Sequence, residues 1–341
     1  MLIQDYAFLK EALPEISGFD HYEGRDAPQL LSASLGPGPM APMPIANLRS
    51  APFGRLLHRR PLADLVAAAG GGALHPGDIA LLADPAHRGA TGPMAEQAAR
   101  IVARAPWQRY RVSLTVWNRR GVGGMQTTQR APNLVLQLGF PKEHDAAFRE
   151  LIGHRYRYEC GWHPVRSTGP ITLAWARLDM NAFSVPGPPE VLIEEVQSDW
   201  CRYIARDLDM AKARRSLCKC CARREAALQA YRTVLAPFVN SWPATMLSAV
   251  IDFARRELGA ERLWMHRPET GAALKRITDV LPPRSLYTDL PRRFCFTQLQ
   301  EAPWFLSAAA RKRLSQTCSR GVPLFWRLDL PRGPPPAAPA R

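Results

Sequence analysis

The chain has 341 residues, 46% of them hydrophobic, which supports a sizeable core and excludes wholesale disorder. Lys plus Arg total 45 against 30 for Asp plus Glu, a net charge of +15. Six of the basic residues are lysines and 32 residues are prolines, so the excess reflects a bias toward Arg and Pro as well as any pull on acidic partners. No run of eighteen apolar residues occurs. The nearest approach, Leu62–Leu82, is broken by Asp64, Gly70–Gly72, His75, Pro76 and Asp78, which excludes an ordinary membrane-spanning helix and predicts no membrane partner. Asp5, Lys10 and Glu11 stand where a signal peptide needs apolar residues. Seven cysteines, with Cys220 and Cys221 adjacent, fit a reducing cytoplasm better than a secreted disulfide framework.

In chain order, Met1–Leu13 reads as a short amphipathic helix. Residues 36–52 are rich in Pro and Gly and read as a linker or surface loop. A weak helix over Pro61–Ala69, an apolar run over Asp78–Ala83 and a helix over Met94–Ala103 follow. Tyr110–Trp117 alternates as a strand does. Asn133–Leu138 reads as a strand, Glu143–Ile152 as a helix, and Ile171–Leu178 and Val191–Gln197 as a hairpin with a long loop. Residues 201–235 show helical spacing at Leu217, Cys221, Leu228, Tyr231 and Leu235. Ser241 is placed to cap a helix running to Leu258, with Gly259 as its stop. Arg262–His266 reads as a strand, Gly271–Val280 as a helix and Arg293–Gln298 as a last strand. The whole is expected to be an α+β fold, with a mixed, mainly antiparallel sheet flanked by helices. Residues 1–130 form a looser N-terminal region, 131–330 the main domain, and 331–341 a disordered tail.

Residues 201–232 carry nine basic and three acidic residues, and 284–341 carry ten and three. Charge this localised steers a protein toward nucleic acid or an acidic protein partner, or simply solvates a helix face. No helix-turn-helix, finger or RNA-binding aromatic signature accompanies it.

The most informative segment is Ile193-Glu-Glu-Val-Gln-Ser-Asp-Trp200. Strand alternation places Glu195, Gln197 and Asp199 on one face and Glu194, Val196 and Ser198 on the other. Adjacent carboxylates on an otherwise apolar strand are costly unless they are paired or line a cleft, where a carboxylate serves as a general base. The alternative is an edge strand whose acids pair with nearby arginines.

These residues resemble a domain of large polyvalent proteins of phages and other mobile elements, and of related bacterial proteins. That domain carries a hydrophobic strand ending in EEIQSDW, then a Pro-Phe, a Trp opening a helix, and a strand after a Gly. The matching positions are Trp175–Arg177, Val191–Trp200, Pro237-Phe238, Trp242 and Leu258-Gly259, with Trp264 and Thr270-Gly271 as partial echoes, across roughly residues 133–297. The resemblance implies a site at Glu194, Glu195, Gln197, Asp199 and Trp200 and no settled activity.

At the level of fold, the element order is similar to that of GNAT acyltransferases. Trp242–Leu258 then corresponds to the cofactor-facing helix and Pro237–Pro243 to the loop that meets the pyrophosphate of acetyl-CoA. That loop has no glycine, and Pro243 lacks an N–H donor. The analogy implies Glu194 or Glu195 as base and Tyr287 as acid; a half-buried core tyrosine is the alternative for Tyr287. A non-catalytic binding module using the basic helix is the rival to an enzyme.

Three further groups draw notice. Cys218, Cys220 and Cys221, with Cys201, Cys160 and His163, contain the ligand types of a zinc site. However, on a helix 218 and 221 share a face that 220 does not, which favours small buried or redox-labile thiols and no metal. His154 and His163 flank Arg155–Tyr158, and His163 is a candidate acid or base for the cleft of Glu195. His266 ends a strand, a position that often faces a ligand. No GxSxG, GxGxxG, Walker A or HExxH motif occurs, and Gly121–Gly124 lacks the Lys-Ser/Thr of a phosphate loop.

Overall fold

The computed structural model describes all residues except 36–40, 85, 88–91, 118–126, 130, 154–157, 162, 164, 166–168, 182, 184, 278–282, 318–320 and 332–341. The strands are β1 (Ser17–His21), β2 (Met43–Pro44), β3 (Ala73–Leu74), β4 (Gln108–Trp117), β5 (Asn133–Gly139), β6 (Thr172–Met180), β7 (Glu190–Gln197), β8 (Arg262–His266), β9 (Thr297–Leu299) and β10 (Phe325–Asp329). The helices are α1 (Ile3–Ala12), α2 (Asp26–Leu35), α3 (Ile45–Ser50), α4 (Leu62–Ala68), α5 (Pro76–Ala83), α6 (Ala95–Arg104), α7 (Lys142–Leu151), α8 (Asp199–Arg214), α9 (Lys219–Arg256), α10 (Pro268–Lys275), α11 (Leu290–Arg293) and α12 (Ala308–Thr317).

Eight strands form one sheet in the order β1-β4-β5-β6-β7-β8-β10-β9, and β2 pairs with β3 apart from it. The fold is therefore α+β with a mixed, mainly antiparallel sheet, as the sequence predicts. Among the described residues β7 and β8 are the parallel neighbours; the other pairings are antiparallel. The connection between β7 and β8 is the hairpin of α8 and α9, the long crossover that a parallel pair requires.

Strand alternation sorts the side chains. Leu114, Leu136, Ala176 and Val196 stand in register across β4, β5, β6 and β7 and face the main core, which also takes residues of α2 and α9. Thr115, Val135, Arg177 and Glu195 are likewise in register and face the opposite side. Toward β8 that second side is covered by a smaller core of Leu192, Trp264, Leu274, Leu314 and Phe325, under α10 and α12. The site lies where this small core gives way to the polar half of the same face.

Helix α9 corrects two expectations. It runs unbroken for 38 residues, roughly 57 Å at 1.5 Å per residue, with Pro237 and Pro243 inside it. Ser241 is therefore no cap: its hydroxyl donates to the Pro237 carbonyl at 2.7 Å. The stretch Pro237–Pro243 is helix and not a loop. Each proline leaves one carbonyl without its helical donor, at Thr233 and Val239 respectively. Both residues are exposed, so water reaches those carbonyls. Gly259, at φ 63°, turns the chain after the helix, and the Ala260 N–H closes on the Ala254 carbonyl at 2.8 Å.

Among the described residues, the helix long and apolar enough to compare with a membrane span is α9, and not Leu62–Leu82. An 18-residue window there has mean hydropathy 1.4 and is 56% buried within the fold. It packs as the core helix of the sheet.

Other expectations shift at their ends. Ile45–Ser50, expected as linker, is helix α3. The helix expected from Gly271 starts at Pro268, and residues 278–280 fall outside the described set. The last expected strand shrinks to β9, because Leu290–Arg293 is helical. Strands β1 and β10 join the sheet without having been predicted. Gly121–Gly124, His154 and the tail from residue 332 lie outside the described residues.

Candidate active site

A β-bulge decides the geometry. Arg177 pairs with Glu195 while its neighbour Leu178 pairs with Ile193, so Glu194 is an extra residue in β7. A bulge bends its strand and re-aims the side chains around it. Simple alternation would send Glu194 into the main core. Instead its carboxylate meets Thr128, whose neighbour Gln129 bonds Asp179 on the polar face at 2.7 Å. Glu194 and Glu195 thus leave β7 on the same side, which overturns the expectation of opposite faces.

Glu194 is fully buried and surrounded by donors. The Thr128 N–H donates to Oε1 at 3.1 Å and its hydroxyl to Oε2 at 2.8 Å. His266 Nε2 lies 3.1 Å from Oε2, and the Lys275 ammonium lies 3.5 Å from it. Lys275 also donates to the Glu194 carbonyl. Burial pushes the Glu194 carboxyl up, but the Lys275 charge and the His266 hydrogen bond outweigh it and hold the group well below the usual carboxylate range. Burial drives His266 the other way, below the ordinary histidine value. The network then assigns the proton of the neutral ring to Nε2, facing Glu194, and leaves Nδ1 as an acceptor with no hydrogen-bond partner among the described residues. Gly271 lets α10 approach this ring: a Cβ there would stand 3.2 Å from the His266 Cβ.

Glu195 is held by Arg177, Nη2 to Oε2 at 2.8 Å, and the guanidinium lies 5.1 Å from the centre of the Trp117 ring. Parallel pairing of β7 with β8 runs from Glu190 with Arg262 to Ile193 with Met265 and goes no further. Pairing of β7 with β6 continues to Gln197. The two parallel strands therefore part beyond the bulge, and the inner edge of β7 is met by side chains. Lys275 takes the Glu194 carbonyl, and the Val196 N–H donates to the Tyr287 hydroxyl at 3.3 Å. Tyr287 sits in a π-helical turn, Ser285–Asp289. Burial, and then the charge of Glu195, raises its phenol above the ordinary value. Between the strands is a small pocket of about 50 Å³, lined by Glu195, His266, Arg267, Gly271, Lys275 and Tyr287.

Gln197 and Asp199 belong to a neighbouring group. Ser198 caps α8, accepting the Cys201 N–H at 3.2 Å, and starts the helix directly after β7. Asp199 in the first turn accepts from Trp175 Nε1 at 3.2 Å, from Gln197 at 2.5 Å and from Arg202 at 2.5 Å, and its Oδ2 is 2.7 Å from His163 Nδ1. Burial pushes Asp199 up, and the His163 contact, with Trp175 and Gln197, brings it below the ordinary value. Trp200, expected in the site, faces away from it. It is fully buried against Phe148 and donates to the Tyr231 hydroxyl at 2.6 Å.

The structure thus brings Glu195, His266 and Tyr287 to one pocket, backed by Glu194, and places Gln197, Asp199 and His163 beside Trp175. Sequence reasoning missed Lys275 and Thr128, for which the sequence carries no motif. Comparison with protein-family models, with curated proteins and with solved structures finds no match to this chain.

Proposed function

We propose that the chain is an enzyme working at the fork between β7 and β8, and that its chemistry is acyl transfer of the GNAT-like kind. The observation that carries this reading is the parting of two parallel strands at a bulged pair of carboxylates, with a tyrosine hydroxyl on the freed strand edge. Ligands of open sheets bind in the crevice beyond the carboxyl ends of parallel strands. Here those ends carry Glu195 and His266.

In this reading an acceptor amine loses its proton to Glu195, which Arg177 holds in place. The amine nitrogen forms a bond to the acyl carbon, and the carbon–sulfur bond of a thioester breaks. Tyr287 gives its hydroxyl proton to the leaving thiolate. The Val196 N–H, released from Tyr287, faces the carbonyl oxygen as charge develops there. The fork fits the acyl end of such a donor. The start of α8 does not fit a pyrophosphate, because Asp199 sets a carboxylate in the first turn, where the helix would otherwise draw an anion.

Calorimetric titration with acetyl-CoA, with free CoA as control, tests the proposal. Micromolar binding of acetyl-CoA supports it. No binding at millimolar ligand removes the acyl donor from the fork.

A second reading rests on a separate observation. The tip between α8 and α9 exposes Arg214, Arg215, Lys219 and Arg223. We propose it as the contact for nucleic acid or an acidic protein if the chain is a binding module. Such binding weakens steeply with salt, and an affinity for DNA or RNA that added salt leaves unchanged argues against it. The likeness to mobile-element domains accords with either reading, and both suppose the reducing cytoplasm in which thiols persist.

A further inference from the structure

The same tip holds a cluster that neither reading uses. Cys218, Cys220 and Cys221 place their three sulfurs within 4.8 Å of one another. Helical spacing alone would turn Cys220 away from the other two. The cluster forms because Cys218 is not helical: it is the N-cap of α9, extended at φ −164° and ψ 163°. Its sulfur folds back over the first turn, accepts the Cys221 N–H at 3.3 Å and lies 3.0 Å from the Cys221 sulfur. Cys218 and Cys220 are exposed and Cys221 is half-buried, which corrects the expectation of small buried thiols.

We propose that Cys218, Cys220 and Cys221 form a three-thiolate site for a soft metal ion of the zinc class, with its remaining position open to solvent. Sulfurs sharing one zinc at bonds of about 2.3 Å stand roughly 3.8 Å apart, within the span already present. Thiolates select soft ions over magnesium or calcium. Three of them with a divalent ion carry a net charge of −1. The tip supplies exposed compensating cations in Arg214, Arg215, Lys219 and Arg223, and the amino end of α9 adds its positive pole. A disulfide between Cys218 and Cys221 would use two of these sulfurs and leave Cys220 idle; the metal uses all three.

The test is zinc titration of the full chain, reduced with a phosphine and stripped of metal, against a chromogenic chelator. Cobalt(II) serves as a second probe through its thiolate charge-transfer band. The expected result is one zinc per chain, at least tenfold weaker in Cys220→Ser than in the parent, with the cobalt band reduced in each single Cys→Ser variant. Circular dichroism checks that the variants keep their helices. Zinc retention no better than in the triple Cys→Ser variant overturns the proposal. Affinity unchanged in Cys220→Ser overturns it as well, leaving a two-sulfur chelate or a disulfide couple.

Discussion

Arg177 and Glu195 face each other across β6 and β7 at the one register position where a bulge intervenes, Nη2 to Oε2 at 2.8 Å. The guanidinium is 1% exposed and the carboxylate 22%. Removing one partner of such a pair leaves the other charge buried, which costs about 3–5 kcal/mol for a fully buried pair and less here, where Glu195 touches solvent. Arg177→Met is expected to lower the melting temperature clearly. Glu195→Gln keeps an acceptor for Arg177 and is expected to cost less stability while abolishing acyl transfer. Thermal denaturation of both variants, beside an assay of acyl transfer, separates the two effects.

Glu194 and Lys275 are a deeper pair, both buried. Each of Glu194→Gln and Lys275→Met is expected to destabilise by about 3–5 kcal/mol, because each strands one charge. The double variant removes both charges and is expected to cost less than the sum. Denaturant titration of the four proteins gives the coupling energy, and simple additivity would mean that the two groups do not interact.

Three histidines set an acid limit. Burial pushes His21 down to about 3, and His144 and His266 also lie below their ordinary value for the same first reason. A histidine depressed in the fold stays neutral there while the unfolded chain takes up its proton. The stability it contributes is therefore present above about pH 6.5 and is lost as the pH falls. Each site contributes a slope of about 1.4 kcal/mol per pH unit within its window. The melting temperature is expected to fall between pH 7 and pH 5, with a shallower fall in His21→Gln. A flat profile over that range would show that these rings are not buried in the neutral form.

Tyr287→Phe removes the acceptor of the Val196 N–H and, in the proposed reaction, the proton for the leaving group. The first loss is expected to cost about 1–3 kcal/mol of stability. The second is expected to lower kcat at least about 100-fold with KM nearly unchanged, the pattern of a general acid. Steady-state kinetics with an acyl thioester reads both constants. An unchanged kcat assigns Tyr287 to strand support alone.

Trp200 closes the acidic motif yet packs behind it. Trp200→Ala is expected to cost about 3–5 kcal/mol and to leave ligand affinity at the fork unchanged in the molecules that remain folded. Paired melting and binding measurements distinguish this from a role in the site.

Much of the sheet is legible because its central strands are written in apolar residues. Asn133–Leu138 and Val191–Gln197 fall within a residue of β5 and β7. What lies beyond that lacks a local signal. The run Glu194-Glu195-Val196 reads as plain alternation, since a bulge shows only once β6 is paired beside β7. Lys275 reads as a solvated helix residue until α10 is seen to lie against the fork. Pro237 and Pro243 read as breakers, although exposed carbonyls make each tolerable inside α9. Strand β1, Ser-Gly-Phe-Asp-His, is short and polar, and a partner strand some ninety residues later sets its conformation. His266 was legible by position alone, as the end of a strand.

The sole parallel pairing among the described strands has a consequence for the order of assembly. Between β7 and β8 lie residues 198–261, the whole of α8 and α9. Loop closure of that length opposes docking of β8 before the intervening hairpin has formed. A nascent chain that ends before His266 carries Glu194 without its imidazole or its ammonium, a carboxylate with no reason to leave water. The fork therefore comes together late, and chains halted within α9 are expected to hold the antiparallel strands β4 to β7 with no pocket at their edge.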